Sequence, residues 1–226
     1  MIEEYINRVE LAIQKALKNS GDTKLTQEIF KLSGMSSPEV RILLNEVVKE
    51  GDKYLEIGVH RGSTFVSAMY KNNALGVAID NFSQFGGQEV KNWFDQACKE
   101  NNVDNFMFLN KDCFDLMPED KDLIVDTNVY FYDGDHRHED QERALTYYFD
   151  LMSDVFIFVV DDWNHEPART GTRSGLELTK AVVHKEWELT TASTRMISWF
   201  IVLTRLSSPI IIPCIPLSAL TTLSRI

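Results

Sequence analysis

Tyr54-Leu55-Glu56-Ile57-Gly58-Val59-His60-Arg61-Gly62-Ser63-Thr64 is the stretch that decides the fold. An apolar run ends in a glycine-spaced turn, and a helical pattern begins at Ser63 and Thr64. Strand, glycine turn and helix are the opening unit of a parallel α/β sheet, and the turn presents bare backbone to a ligand. The spacing is G-x-x-x-G, not the G-x-G-x-x-G of a dinucleotide site. A short loop followed by small hydroxyl residues suits a nucleoside without pyrophosphate. Such turns also occur for purely structural reasons, so the residues around it carry the decision.

Downstream, short apolar runs predict strands at 53–58, 76–80, 105–109, 127–133 and 154–161. Helical stretches at 62–71, 87–101, 138–152 and 173–183 separate them. This alternation predicts an α/β fold, a doubly wound and mostly parallel sheet with helices on both faces. Val155 to Val160 is apolar without alternation, as a strand buried on both sides should be. Trp187–Ala192 and Ile197–Leu203, split by polar Ser193-Thr194-Arg195, read as a terminal antiparallel hairpin.

Upstream, residues 1–50 read as a helical cap. Tyr5, Val9, Ile13 and Ala16 share one face. Ser37-Pro38-Glu39 is a helix start, with Ser37 as N-cap and Pro38 in the first turn. Val40, Leu43, Leu44 and Val47 form its buried stripe, and Gly51 is the expected stop. One domain is expected, with a cap at 1–50, a core at 51–205 and an irregular tail at 206–226.

The 226-residue chain has a formal net charge of −11. That opposes a nucleic-acid partner, which needs a basic surface, and opposes docking on anionic lipid. Cys98, Cys113 and Cys214 show no C-x-x-C spacing, so free thiols in a reducing, cytoplasmic setting are expected. Met1 to Tyr5 has neither a basic n-region nor an apolar h-region, so no secretion signal is expected. Leu206 to Leu223 carries no charge, which by length suggests a membrane span. Pro209, Pro213 and Pro216 would break such a helix, so the tail reads as an arm packed on the domain or on a second copy.

In an open parallel sheet, ligands sit beyond the carboxyl ends of the strands. After the first strand come Glu56, Gly58, Gly62, Ser63 and Thr64. After the second come Asp80 and Asn81, and an acid about 20 residues past the glycine turn is placed to bind two ribose hydroxyls. Phe82 either covers an adenine face or belongs to the core. After the third, Asp112 either accepts from an adenine amino group or caps a helix, with Cys113 beside it. Asp133 ends the fourth strand, and Asp161 and Asp162 end the fifth. Three carboxylates at neighbouring strand ends repel, and a hard divalent cation such as Mg²⁺ or Ca²⁺ relieves that. His136, three residues past Asp133, is placed to take a proton near neutral pH. His138 and His165 read as supporting residues. Arg169 and Arg173 flank a loop at 163–175 and either hold an anionic substrate or are solvated.

The ordered set Glu56-x-Gly58-x-x-x-Gly62, Asp80, and Asp133-Gly134-Asp135-His136 resembles the Rossmann-like S-adenosylmethionine-dependent methyltransferases. The nearest likeness is to metal-dependent sugar O-methyltransferases that modify macrolides, with catechol-type enzymes more distant. The likeness spans residues 50–205. It implies S-adenosylmethionine as cofactor, with the methionine end on the first motif and the ribose on Asp80. It implies metal ligands at Asp133, Asp161 and Asp162, a general base at His136, and a small-molecule hydroxyl, such as a sugar's, as acceptor.

Three rival readings remain at this point. His136-Arg137-His138-Glu139-Asp140 matches the H-x-H-x-D pattern of metallohydrolases, which would need His165 or His184 as further ligands. A cofactor-binding module without turnover is the second. A nicotinamide dehydrogenase lacks the second glycine of its fingerprint.

Overall fold

The computed structural model describes residues 1–18, 22–190 and 197–205. The polar break at 193–195, Cys214 and the 206–226 tail lie outside the described residues.

The cap consists of α1 (Ile2–Lys18), α2 (Gln27–Phe30) and α3 (Pro38–Val47). Val9, Ile13 and Ala16 of α1 are buried, and Tyr5 is partly so. Ser37 caps α3 as expected: its hydroxyl accepts from the Val40 amide, and Pro38 fills the first turn. The helix ends at Val47, earlier than Gly51, which instead turns the chain into the first strand with φ +83°. Arg8 ties the cap to the sheet through an ion pair with Asp52, whose carboxylate also accepts from Asn128 at 2.7 Å.

The core alternates as β1 (Lys53–Ile57), α4 (Ser63–Met69), β2 (Leu75–Ile79), α5 (Gln88–Glu100), β3 (Phe106–Leu109), α6 (Pro118–Ile124), β4 (Thr127–Tyr132), α7 (His138–Thr146), β5 (Met152–Val160), α8 (Glu166–Thr179), β6 (Val182–Thr190) and β7 (Ile197–Thr204). The sheet order is β3-β2-β1-β4-β5-β7-β6. The first five strands pair in parallel, while β7 runs antiparallel to both β5 and β6. This is the α/β, doubly wound, Rossmann-like sheet with a terminal hairpin that the sequence predicts.

Alternation along each strand divides the core into two layers. Tyr54, Ala78, Phe131, Ile157 and Phe200 face the cap, α4 and α5. Leu55, Val77, Tyr130, Phe158 and Ile201 face α6, α7 and α8. No described helix is long and apolar enough to cross a membrane.

Two elements differ from the sequence reading. The expected loop at 163–175 is largely helix, because α8 begins at Glu166. Thr170-Gly171-Thr172 and Gly175 have the composition of a loop, yet they make a packing face. A Cβ on Gly171 would sit 2.2 Å from the His138 carbonyl oxygen, and one on Gly175 would sit 2.9 Å from that of Glu142. The glycines let α8 lie directly against α7. The second difference is α6, whose short acidic sequence carries little apolar periodicity; Pro118 and the Asp120 bond to the Met117 amide start it.

Candidate cofactor and catalytic site

The glycine turn lies at the centre of the sheet's carboxyl edge. Gly58 has φ +86°, and its amide donates to the Ile79 carbonyl at 2.9 Å. A Cβ there would fall 1.9 Å from the Asp133 carbonyl oxygen. Only glycine lets the ends of β1, β2 and β4 converge at this point. Gly62, also at positive φ, forms the N-cap of α4.

Glu56 lies beneath this turn. It is fully buried, and it accepts hydrogen bonds from the Tyr54 and Thr64 hydroxyls. Burial pushes its carboxyl up to about 8; the two hydroxyl donors work against that rise, and the charges of Asp80 and Asp161 add to it. Glu56 therefore has no face toward a ligand. The sequence reading counted Glu56 and Thr64 among cofactor contacts, but the structure makes them a support that bonds to itself. Ser63 also is nearly buried, with its hydroxyl 3.2 Å from that of Ser36 in the cap.

Asp80 stands at the end of β2. One carboxylate oxygen accepts from the His60 amide at 2.8 Å and the other from the Phe82 amide at 2.7 Å. His60, given no role by the sequence reading, thus links the glycine turn to Asp80. Each carboxylate oxygen keeps a lone pair for a hydroxyl donor. Asn81 is exposed at its side chain's turn, accepting from the Ser83 amide. Of the two roles open to Phe82, the structure supports the core: it is 5% exposed, with its ring 5.7 Å from Phe108. The Asp112 carboxylate accepts from the Phe114 amide, and burial pushes the neighbouring Cys113 thiol up to about 12, so it stays protonated.

The second half of the site lies at the ends of β4 and β5. Of the three expected aspartates, the structure brings two together and sets a histidine with them. Asp133 and Asp162 come together with His136, and their donor atoms lie within 4.8 Å of one another. Asp161 does not join them. Its carboxylate is 4% exposed and accepts from Ser198 of β7 at 2.7 Å. Both residues follow the end of β5 at Val160, and there Asp161 turns to Ser198 while Asp162 turns to His136. Asp162 leaves the strand at φ +51°, a strained conformation for a non-glycine residue.

His136 Nε2 lies 3.0 Å from Asp162 Oδ2. That contact raises the imidazole pKa and lowers that of Asp162. Asp133 is driven the other way: burial raises its pKa, and the nearby charges of Asp161, Asp162, Glu56 and Asp80 raise it further. His165, at the N-cap of α8, places its ring 5.5 Å from that of His136.

The H-x-H-x-D pattern is not assembled as one centre. His138 bonds Thr170 at 2.9 Å, and Asp140 pairs with Arg137 at 2.7 Å. The two arginines that the sequence leaves open as an anion site or as solvated surface are engaged as well. Arg173 forms a two-point pair with Glu186 at 2.8 and 3.1 Å, and Arg169 donates to the Trp163 carbonyl at 2.7 Å. Beyond His165, an open cleft of about 440 Å³ between α8 and β6 is lined by Trp163, Arg169, Arg173, Glu177 and Glu188. The sequence points to the 163–175 segment as part of an acceptor pocket; that segment does line the cleft, as the first turns of α8 rather than as a loop.

No protein-family profile and no curated protein matches the sequence. Solved structures do match. An O-methyltransferase from Bacillus cereus in complex with SAH has a TM-score of 0.60 at 11% identity, covering 87% of this chain and 99% of its own. The O-methyltransferase TomG from Streptomyces achromogenes, involved in tomaymycin synthesis and in complex with SAM, has a TM-score of 0.61 at 13% identity, covering 86% and 97%. The chain has the Rossmann-like methyltransferase fold. TrmN from Thermus thermophilus is also similar, with a TM-score of 0.59 at 12% identity over 79% of this chain. The chain spans about half the length of the first structures matched, 49% of one and 52% of TrmN. At these identities the likeness concerns the fold, and the chemistry must be argued from this chain's own residues.

Proposed function

We propose that this chain is an S-adenosylmethionine-dependent methyltransferase that methylates a hydroxyl oxygen of a small molecule, a sugar being the first candidate. One observation carries the reading. Along the carboxyl edge of the sheet, the glycine turn after β1 lies between Asp80 after β2 and Asp133 and His136 after β4, with Asp162 next in line after β5. A nucleoside subsite next to a base is what methyl transfer to oxygen requires. The SAM and SAH complexes of two fold relatives support the cofactor assignment. The acidic balance of the chain favours a small acceptor over a nucleic acid.

In this reading Asp80 accepts the ribose hydroxyls with its remaining lone pairs, and the Gly58–Gly62 backbone lies under the amino-acid end. The bound cofactor supplies an electrophilic methyl group on sulfur. His136 keeps Nε2–H toward Asp162, leaving Nδ1 to take the acceptor's proton as the oxygen attacks. Asp162 orients the ring and stabilises its charged form. The acceptor's body extends into the cleft between α8 and β6. Asp133 and Asp162 fit a hard cation such as Mg²⁺, which would lower the hydroxyl's pKa; Asp161, engaged by Ser198, does not belong to that set.

A thermal-shift titration with S-adenosylhomocysteine tests this reading. The melting temperature should rise with ligand concentration, as mass action requires for a native-state ligand. An unmoved melting temperature at millimolar ligand would refute it. Binding without turnover on any hydroxyl acceptor would favour a cofactor-binding module instead.

A further inference from the structure

We propose that Arg41 of the cap is a carboxylate-reading residue: its guanidinium, buried beside the glycine turn without an acidic partner, takes the carboxylate of the cofactor's amino-acid end. The inference rests on the proposed function and adds the residue that recognises that end of the ligand.

Arg41 lies on α3 and is only 4% exposed. Nε donates to the Ser36 hydroxyl at 2.9 Å, and Nη1 donates to the carbonyls of Ile29, Phe30 and Leu32 at 3.2, 3.3 and 3.1 Å. All four acceptors are neutral. Burial pulls the guanidinium pKa down, and no carboxylate among the described residues opposes that. Arg8, also in the cap, has Asp52 for its charge, whereas none of the described ion pairs includes Arg41. A charge taken out of water in this way is costly until a counter-charge meets it.

Nη2 is the nitrogen left over. It has no hydrogen-bond partner among the described residues, and solvent still reaches it. It lies beside Gly34, where a Cβ would stand 3.5 Å from Nη2 and 1.9 Å from the Ser63 hydroxyl. The missing side chain leaves a small cradle between a free guanidinium edge and a hydroxyl. Ser63 directly follows Gly62 of the glycine turn, and its hydroxyl lies 3.2 Å from that of Ser36, which Arg41 holds. The cradle therefore borders the turn on which the proposed function lays the amino-acid end. A guanidinium N–H on a carboxylate is a charge-assisted bond, stronger than a neutral one. Arg61, the arginine within the turn, is drawn to Ser33 at 2.7 Å and to the Trp93 ring at 4.0 Å.

Calorimetry on the full chain tests this by comparing S-adenosylhomocysteine with its decarboxylated analogue, which ends in the amine alone. The wild type should prefer the carboxylate by about tenfold or more, the usual worth of a charge-assisted bond in a buried site. Arg41→Met should remove the preference and leave the analogue within about twofold of its wild-type affinity. Arg41→Lys keeps the charge and should retain part of the preference. Arg41 also holds the 29–36 segment, so Gly34→Ala serves as a second variant. It fills the cradle, keeps the guanidinium and should cut the preference in the same direction. The proposal is overturned if the wild type binds both ligands equally, or if Gly34→Ala or a folded Arg41→Met keeps the full preference. A purely structural arginine would weaken both ligands alike in Arg41→Met, and that result also overturns it. Equal binding by the wild type leaves the methyltransferase reading standing, whereas a wild type that binds neither ligand sinks both.

Discussion

The two halves of the candidate site are built in opposite ways. At the ends of β1 and β2, polar groups are satisfied internally: Glu56 by two hydroxyls, Asp80 by two backbone amides. At the ends of β4 and β5, carboxylates crowd together, Asp133 has no described donor, and Asp162 sits at positive φ. The first half is pre-organised and holds a shape. The second stores repulsion and strain that a proton, a cation or a substrate relieves. A binding subsite wants the former and a reacting centre the latter.

Breaking both halves at once should give the largest effect. Gly58→Ala places a Cβ on the Asp133 carbonyl and forces a side chain into φ +86°. Urea denaturation should show a loss of about 3 kcal/mol or more, from overpacking plus backbone strain. Wild-type stability in this variant would mean that the two halves are not joined at this turn.

Next in size is His136→Ala, which acts on the strained half alone. Turnover should fall by about 10²- to 10⁴-fold, the usual worth of a positioned base. Affinity for S-adenosylhomocysteine, measured by calorimetry, should stay within about twofold, because His136 does not touch the nucleoside subsite. A matching loss of affinity would erase the distinction between the halves.

Asp80→Ala is the mirror experiment. It should weaken S-adenosylhomocysteine by about tenfold or more, the cost of losing hydrogen bonds to a charged acceptor. A dissociation constant equal to the wild type would remove the ribose role.

The last expected effect is a change of slope, visible only across a pH series. The Glu56 carboxyl is raised from 4.5 to about 8 in the folded chain, so the folded state holds a proton that the unfolded state has lost. Its stabilising contribution is complete below the unfolded value and disappears as pH rises through about 8. Wild-type stability should therefore decline across that window, and Glu56→Gln, neutral throughout, should decline less. Parallel stability-versus-pH curves for the two proteins would show that Glu56 is already ionised when folded.

The same contrast explains what the sequence revealed. The closed half depends on local pattern: a glycine turn after an apolar run, an acid after the next, and Ser37 before Pro38. These follow from backbone rules and were legible. The open half depends on which way neighbouring side chains point once the sheet is assembled. Nothing in Asp161-Asp162 says that the first will meet Ser198, 37 positions away, while the second meets His136. Phe82 likewise could be placed only once Phe108 stood beside it. The start of α8 was hidden because its glycines pack against α7, and an isolated sequence shows them as loop formers.

The most direct measurement is a crystal structure of the chain with S-adenosylhomocysteine bound. The account predicts the ribose hydroxyls on Asp80, the amino-acid end above Gly58–Gly62, and the sulfur turned toward the His136–Asp162 pair. A nucleoside lodged elsewhere, or a sulfur turned away from that pair, would contradict it.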